Sequence, residues 1–100
     1  ESTATVRARV LAARERQLAR AGLPNAQLDQ AGTERDCALA PDDRQLLERA
    51  IEQLQLSARA LHRIQRVART LADLEGVEAI ATRHVAEAIG YRLLDRGAAG

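Results

Sequence analysis

Three arginines in the second half of the chain are the residues whose type and spacing could do chemistry. Arg59, Arg63 and Arg66 are four and three residues apart, so a helix would place them on one face. Arg59 also follows Ser57 by two positions, and serine favours the N-cap of a helix. Free N–H groups, the positive end of the helix dipole and a guanidinium would then meet at one point, an arrangement that binds anions. This spacing fits a phosphate contact at Arg59, and it also fits a solvated arginine face, which is the commoner use of such a stripe.

The other chemically active residue types do not form a recognisable catalytic or metal site. Cys37 has no histidine near it in sequence, and we expect a small buried hydrophobic residue there. His62 and His84 stand alone on separate helices, and we expect surface or capping positions for them, not metal ligation. The chain contains no Gly-rich phosphate loop and no lysine. We therefore expect no enzyme activity from this chain on its own, and no metal site in it.

Two further features have structural interpretations. Asp42 and Asp43 directly follow Pro41, and acids in the first turn of a helix are stabilised by its dipole. Tyr91 is the single aromatic residue, and we expect it partly buried at the edge of a helical bundle. Neither feature requires a ligand.

Composition limits the class of protein. The chain has 100 residues, the size of one domain, and 46% of them are hydrophobic. Its net charge of +1 excludes a strongly basic nucleic-acid arm or an acidic tail. The single cysteine excludes an internal disulfide, and no apolar run approaches the ~20 residues that span a membrane. The chain starts at Glu1 and lacks methionine, so we expect a piece of a longer protein. We also expect that protein to be cytoplasmic and to have no membrane partner.

Helical signals follow one another along the chain. Spacing of apolar residues and breakers predicts helices at about 3–20, 33–38, 41–54, 58–75 and 82–95. The expected N-caps are Ser2 or Thr3, Thr33, Ser57 and Thr82, and the expected stops are Gly22 and Gly76. Strand alternation is absent. We therefore predict an all-α bundle of four to five helices, forming a single domain over 1–96 with a frayed tail at 97–100.

The predicted core lies on the two longest patterned helices. On the helix at 41–54 the apolar positions are Leu46, Leu47, Ala50, Ile51 and Leu54. On the helix at 58–75 they are Ala60, Leu61, Ile64, Val67, Ala68, Leu71 and Leu74, with Arg69 beside the arginine face opposite. The first helix has a weaker pattern, in Val6, Val10 and Ala13. Part of that helix is expected to pack on something outside this chain.

The segment LSARALHRIQRVARTLADLEG at 56–76 resembles the C-terminal domain of magnesium-chelatase-related AAA+ ATPases. The resemblance extends to HVAEAIGYR at 84–92 and back to Arg9, Val10, Gln17 and Asn25, so it covers nearly the whole chain. The competence-associated branch is the closer match, and the magnesium chelatase ATPase subunit is more distant. Leu61, Gln65 and Gly90 depart from the family pattern and bear on local packing.

The resemblance implies an α-helical lid of an ATPase module, with Arg59 as the sensor-2 arginine that contacts the γ-phosphate of ATP. Arg63 is the second candidate for nucleotide binding. ATP and its Mg²⁺ would be held by the N-terminal ATPase core of the same protein, in a ring of subunits. The competence-associated branch implies a DNA-processing motor, and the chelatase branch implies magnesium insertion into a porphyrin. The substrate and the subunit that Arg59 would serve stay open.

Two alternatives without a nucleotide role remain. One is a stand-alone helical nucleic-acid-binding module, using either Arg9, Arg16 and Arg20 or the Arg59–Arg66 stripe. The near-neutral charge and the lack of stacking aromatics beside these arginines argue against it. The other is an interaction domain that helps a ring to assemble.

Overall fold

The computed structural model describes residues 2–99, with side chains described through residue 94. The α-helices are α1 (Thr3–Ala21), α2 (Gln30–Asp36), α3 (Pro41–Gln53), α4 (Ala58–Glu75) and α5 (Thr82–Ala99), with a 3-10 turn at Asn25–Gln27. The described residues contain no strand, so the predicted all-α class is confirmed. α5 continues beyond its predicted end at 95. The frayed tail predicted at 97–100 falls outside the residues that are described in full, and it stays a prediction.

The ends of α1 and α4 are set by residues next to them in sequence, as predicted. The Ser57 hydroxyl accepts the Ala60 N–H at 3.2 Å at the start of α4, and Ser2 caps α1 in the same way. Both helices end at a glycine in the left-handed region, Gly22 at φ 77° and Gly76 at φ 85°, a conformation that costs other residues energy. α4 is therefore fixed at both ends by its own sequence.

The predicted start of α2 was wrong. The helix begins at Gln30, and Asp29 is its N-cap: its Oδ1 atom accepts the Gly32 N–H at 2.7 Å. Gly32 lies inside the helix and does not break it. A Cβ at this position would be only 3.1 Å from the Asp29 carboxylate oxygen, so glycine leaves room for the cap. Thr33, the predicted cap, is buried, and its hydroxyl accepts a hydrogen bond from Arg66 at 3.3 Å.

The predicted cap of α5 also needs correction. Thr82 is the first residue of the helix, and its hydroxyl donates to Asp43 at 2.5 Å. His84 makes the capping hydrogen bond at this end of the helix: its Nδ1 atom accepts the Ala81 N–H at 2.9 Å. His84 is buried, so its expected capping role is confirmed at a site inside the fold. Asp43 lies in the first turn of α3, as predicted.

α4 is the central helix and contacts all the other helices and the 3-10 turn. The buried apolar residues around it are Leu28, Cys37, Leu47, Leu61, Ile64, Ala68, Ala72, Ile80, Val85 and Ala88. Two predicted core sets are only partly right. On α3 Leu47 is fully buried but Leu46 is exposed, and on α4 Val67 and Leu71 are only partly buried. Burial raises the pKa of the Cys37 thiol to about 11, which suits the predicted hydrophobic role.

A buried polar network fastens α1 to α4. The Asp73 carboxylate is fully buried and receives both terminal nitrogens of Arg20, at 2.6 and 3.2 Å. Arg69 lies 3.3 Å from the same carboxylate, and the Asn25 amide donates to it at 3.0 Å. The Gln17 side chain accepts the Asn25 N–H at 2.9 Å. These bonds give a structural role to two residues of α1 and the 3-10 turn that carry the family resemblance.

The network also corrects the predicted position of Arg69. The sequence places this arginine beside the exposed stripe, but it is only 6% exposed. Its guanidinium donates to the carbonyl oxygens of Val77 and Glu78 at 3.1 and 2.7 Å. Burial lowers the pKa of Arg69, while the hydrogen bond that Arg20 donates to the Asp73 carboxylate raises the pKa of Arg20. The Arg69 side chain is buried because the groups that pair with it, the Asp73 carboxylate and two backbone carbonyl oxygens, lie at the same place in the fold.

Acid is expected to weaken the contact between the end of α4 and the start of α5. Hydrogen bonds from Arg83 and then His84 lower the pKa of Glu75 to about 2, from 4.5. Because the folded pKa is depressed, the stabilisation is present above about pH 4.5 and is lost as the pH falls toward 2. Urea unfolding between pH 6 and pH 2 measures the effect.

A matched variant isolates this carboxylate from the other acids. Glu75→Gln cannot ionise, so its stability should fall less steeply than that of the unmodified chain over this acid range. Parallel curves for the two proteins would contradict the assignment. Because Glu75 is exposed, added salt should reduce the difference between them.

Candidate functional site

Arg59 occupies the first turn of α4 with its side chain exposed. Within the fully described part of the chain, no hydrogen bond or ion pair engages its guanidinium. The Ser57 hydroxyl takes the Ala60 N–H, and the first N–H groups of a helix have no partner inside it. A cation at this end opposes the helix dipole. The arrangement therefore places uncompensated positive charge at one point on the surface.

Two grooves meet at Arg59. The larger, about 560 Å³ in volume, is lined by Ala26, Arg59, Arg63, Arg66, Val67, Thr70 and Leu71. The smaller, about 300 Å³, is lined by Gln30, Ala58, Arg59, His62 and Arg66. The predicted arginine stripe thus lines a concave surface with an apolar floor. This explains why Val67 and Leu71 are only partly buried in the domain.

The neighbouring charged residues differ in how deeply they are buried. Arg66 is partly buried and donates to Thr33 at 3.3 Å, so its position is fixed by α2. Arg63 is exposed on the same face as Arg59. The His62 Nε2 atom lies 2.9 Å from Glu34, which also pairs with Arg44 at 3.0 Å. Glu34 is therefore engaged by His62 and Arg44.

Two residues of α5 join the far end of this face, where the sequence analysis did not place them. Tyr91 and Arg92 of α5 line a small cavity of about 50 Å³ together with Arg63 and Val67. The Arg92 Nε atom is buried without a hydrogen-bond partner among the described residues. Tyr91 is 46% exposed at the edge of the bundle. An aromatic residue does accompany the arginines, contrary to the sequence-based expectation, because α5 packs alongside α4.

Neither a metal cluster nor a membrane span is found in the described part of the chain. Among those residues, no three His, Cys, Asp or Glu side chains are grouped so that they could hold a metal ion. None of the described helices has both the length and the apolar character needed to cross a bilayer.

Comparison with known families decides what kind of domain this is. Residues 1–92 match the model of the family described as the C-terminal domain of magnesium chelatase, subunit ChlI. The chain belongs to this family. The match spans the helices that build the Arg59 surface, and it confirms the resemblance inferred from the sequence. No solved structure matches the chain.

Individual relatives place the chain within the family. It is 50% identical over 96 residues to the competence protein ComM of Haemophilus influenzae. It is 45% identical over the same length to the uncharacterized protein YifB of Salmonella typhimurium and to that of Escherichia coli. Each match covers 96% of this chain but only 19% of the relative. The predicted similarity to the competence-associated branch is confirmed, and the chain corresponds to one small part of these longer proteins.

Proposed function

We propose that this ChlI C-terminal domain is the lid of an AAA+ ATPase and that Arg59 contacts the γ-phosphate of ATP. The nucleotide and its Mg²⁺ would be bound by the N-terminal ATPase core of the same protein. One observation carries the proposal: the Arg59 guanidinium is exposed, is unengaged by the described residues and lies in the first turn of the central helix.

The chemistry explains why such a group is useful. Transfer of a phosphoryl group spreads charge over its oxygens, so catalysis depends mainly on positioning and charge stabilisation. A guanidinium offers a planar fork of donors that matches those oxygens. The unpaired N–H groups at the start of α4 add to the positive field. Arg63, one turn further along, would contribute at longer range to nucleotide binding.

The packing of α4 in the domain supports a movement of Arg59 together with the whole domain. α4 is capped at both ends, carries the apolar core on its inner side and is fastened to α1 through Asp73. Arg59 would therefore move with the whole domain and not as a separate loop. Closure of the domain over the ATPase core would bring positive charge to the phosphate only in the closed state.

The same proposal extends to the activity of the longer protein. The name of the Haemophilus relative associates it with competence, and we propose that the ATPase is a ring motor acting in DNA processing in the cytoplasm. Its partners would be the ATPase core, neighbouring subunits of the ring and DNA. The two alternatives, a nucleic-acid-binding module and a ring-assembly domain, stay open; Tyr91 beside Arg63 is the observation that favours the first of them.

Replacing Arg59 by alanine in the full-length protein tests the proposal. ATP turnover should fall about ten- to a thousand-fold, the scale of losing one group that stabilises developing charge. Arg59→Lys keeps the charge but loses the fork, so it should recover only part of the activity. Steady-state ATP hydrolysis at saturating nucleotide is the measurement.

Arg49→Ala is the matched control, because Arg49 is an exposed arginine on α3, outside both grooves. It should leave turnover unchanged, and both variants should keep their stability within about 0.5 kcal/mol. Normal hydrolysis by the Arg59→Ala protein would reject the contact with the γ-phosphate. A loss of salt-sensitive DNA binding with turnover intact would favour the nucleic-acid module instead.

A further inference from the structure

α1 has a face that the domain itself does not cover. Of its 19 residues, only Ala13 and Gln17 are buried. Four large apolar side chains of this helix are between 43% and 57% exposed, namely Val6, Val10, Leu11 and Leu18. Val6 and Val10 border a groove beside Leu74 of α4, whereas Leu11 and Leu18 lie away from it. Helices in proteins gain most of their stability from packing an apolar face. The exposed face of α1 therefore indicates a partner outside the described domain.

The spacing and charge of this face define the partner's chemistry. Arg7, Leu11, Arg14 and Leu18 are spaced by four, three and four residues, which aligns them in one stripe along the helix. All four side chains are exposed; they are called the outer face of α1 below. The four residues of the outer face include two arginines and no acid, whereas Arg16 and Arg20 of the same helix are bonded to Asp73. A surface that fits this stripe has a groove for the leucines and acidic groups beside it.

A second copy of the same face does not meet that description. Two copies of this face would bring four arginines, Arg7 and Arg14 from each copy, into one interface with no acid among the stripe residues, and like charges placed together in an interface are repulsive. The partner is better sought elsewhere in the same polypeptide. The family is a C-terminal domain, and the chain covers only 19% of its relatives. α1 is the first element of the domain, so it is the element nearest in sequence to the preceding part of such proteins.

We propose that the outer face of α1 docks into an acidic, apolar groove on the ATPase core of the same polypeptide. This inference rests on the proposed function, since it takes the ATPase core as the partner. The opposite side of α1 is already fastened to α4, where Arg20 pairs with the Asp73 carboxylate at 2.6 Å and Arg16 donates to the Asp73 carbonyl at 2.9 Å. α1 thereby connects the ATPase core to the helix that carries Arg59.

Hydrogen exchange of the full-length protein tests the docking. The double variant Leu11→Ser/Leu18→Ser should exchange the α1 amides at least about ten-fold faster, because the covered helix is released. The control Leu46→Ser/Leu94→Ser also removes two exposed leucines, and it should leave α1 exchange unchanged. Exchange in α4 should be unaffected by either variant, which shows that the domain remains folded.

A charge variant and a concentration series complete the test. Arg7→Glu/Arg14→Glu should speed α1 exchange in the same way, whereas Arg49→Glu on α3 should not. Unchanged α1 exchange in both α1 variants would overturn the proposal. Protection of α1 that grows with protein concentration would overturn it too, in favour of a second copy. If docking holds but Arg59→Ala retains full turnover, the lid mechanism fails and the interface stands.

Discussion

Replacing Asp73 by alanine is expected to lower the free energy of unfolding of this domain by about 3–5 kcal/mol, the cost of breaking a buried ion pair from one side. Asp73 is fully buried, and its carboxylate accepts hydrogen bonds from Arg20 and Asn25 and forms an ion pair with Arg69. Without it, the Arg69 guanidinium would stay inside the fold with only the carbonyl oxygens of the loop after α4 as partners. Urea unfolding followed by circular dichroism measures the loss.

Removing the other side of the pair is expected to cost less. Arg20 has a side chain that is 25% exposed, and Asp73 would keep Arg69 and Asn25 when Arg20 is replaced by alanine. We expect about 1.5–3 kcal/mol, the scale of a hydrogen bond to a charged group. Arg35→Ala is the control, because it removes an exposed ion pair with Asp36 and should change stability by less than about 1 kcal/mol. Equal losses for Asp73→Ala and Arg35→Ala would contradict the network.

Replacing Leu47 by alanine is expected to destabilise the domain by about 2–5 kcal/mol, through a cavity between α3 and α4. Leu47 has no exposed surface and belongs to the central cluster. Its neighbour Leu46 is 39% exposed, so Leu46→Ala should change stability by about 0.5 kcal/mol or less. The same denaturation experiment compares the two variants.

Leu71→Ala should lower the free energy of unfolding by about 1–2 kcal/mol, because the Leu71 side chain is only partly buried. This loss lies between those expected for Leu47→Ala and Leu46→Ala. Leu71 lines the larger groove beside Arg59, so part of its apolar surface is available to a docked partner. A loss as large as that of Leu47→Ala would mean that Leu71 belongs to the core, as its helical spacing alone predicts. The ordering Leu47, Leu71, Leu46 is thus a direct test of the packing around α4.

Several properties could be predicted because they depend on residues that are close in sequence. A hydroxyl three residues before a free N–H caps a helix whatever the rest of the fold does, which is why Ser57 marked the start of α4. Glycine adopts the left-handed conformation at little cost, so Gly76 marked its end. The position of Arg59 in the first turn follows from these two boundaries. The apolar period of α4 predicted only part of the buried side: Ala60, Leu61, Ile64 and Ala68 are buried as expected, but the polar Gln65, Arg69 and Asp73 are buried beside them.

The sequence did not identify the N-cap of α2 correctly, because two nearby residues could both cap the helix. Both Asp29 and Thr33 are acceptable N-caps, and the sequence analysis chose Thr33. The choice depended on packing: Arg66 of α4 reaches the Thr33 hydroxyl, and Gly32 leaves room for the Asp29 carboxylate. The candidate site shows the same limit, because Tyr91 joins the arginine face only through the packing of α5 on α4.

The sequence by itself determined the helices, their main boundaries, the family and the place of Arg59 at the start of the longest patterned helix. Only the tertiary structure decided that Arg69 turns inward, that Asp73 pairs with an arginine 53 residues away, and that the outer face of α1 stays uncovered. Periodicity assigns charged residues to solvent because burying an isolated charge is unfavourable. That assignment reverses once packing brings an opposite charge to the same place, and such partners are distant in sequence.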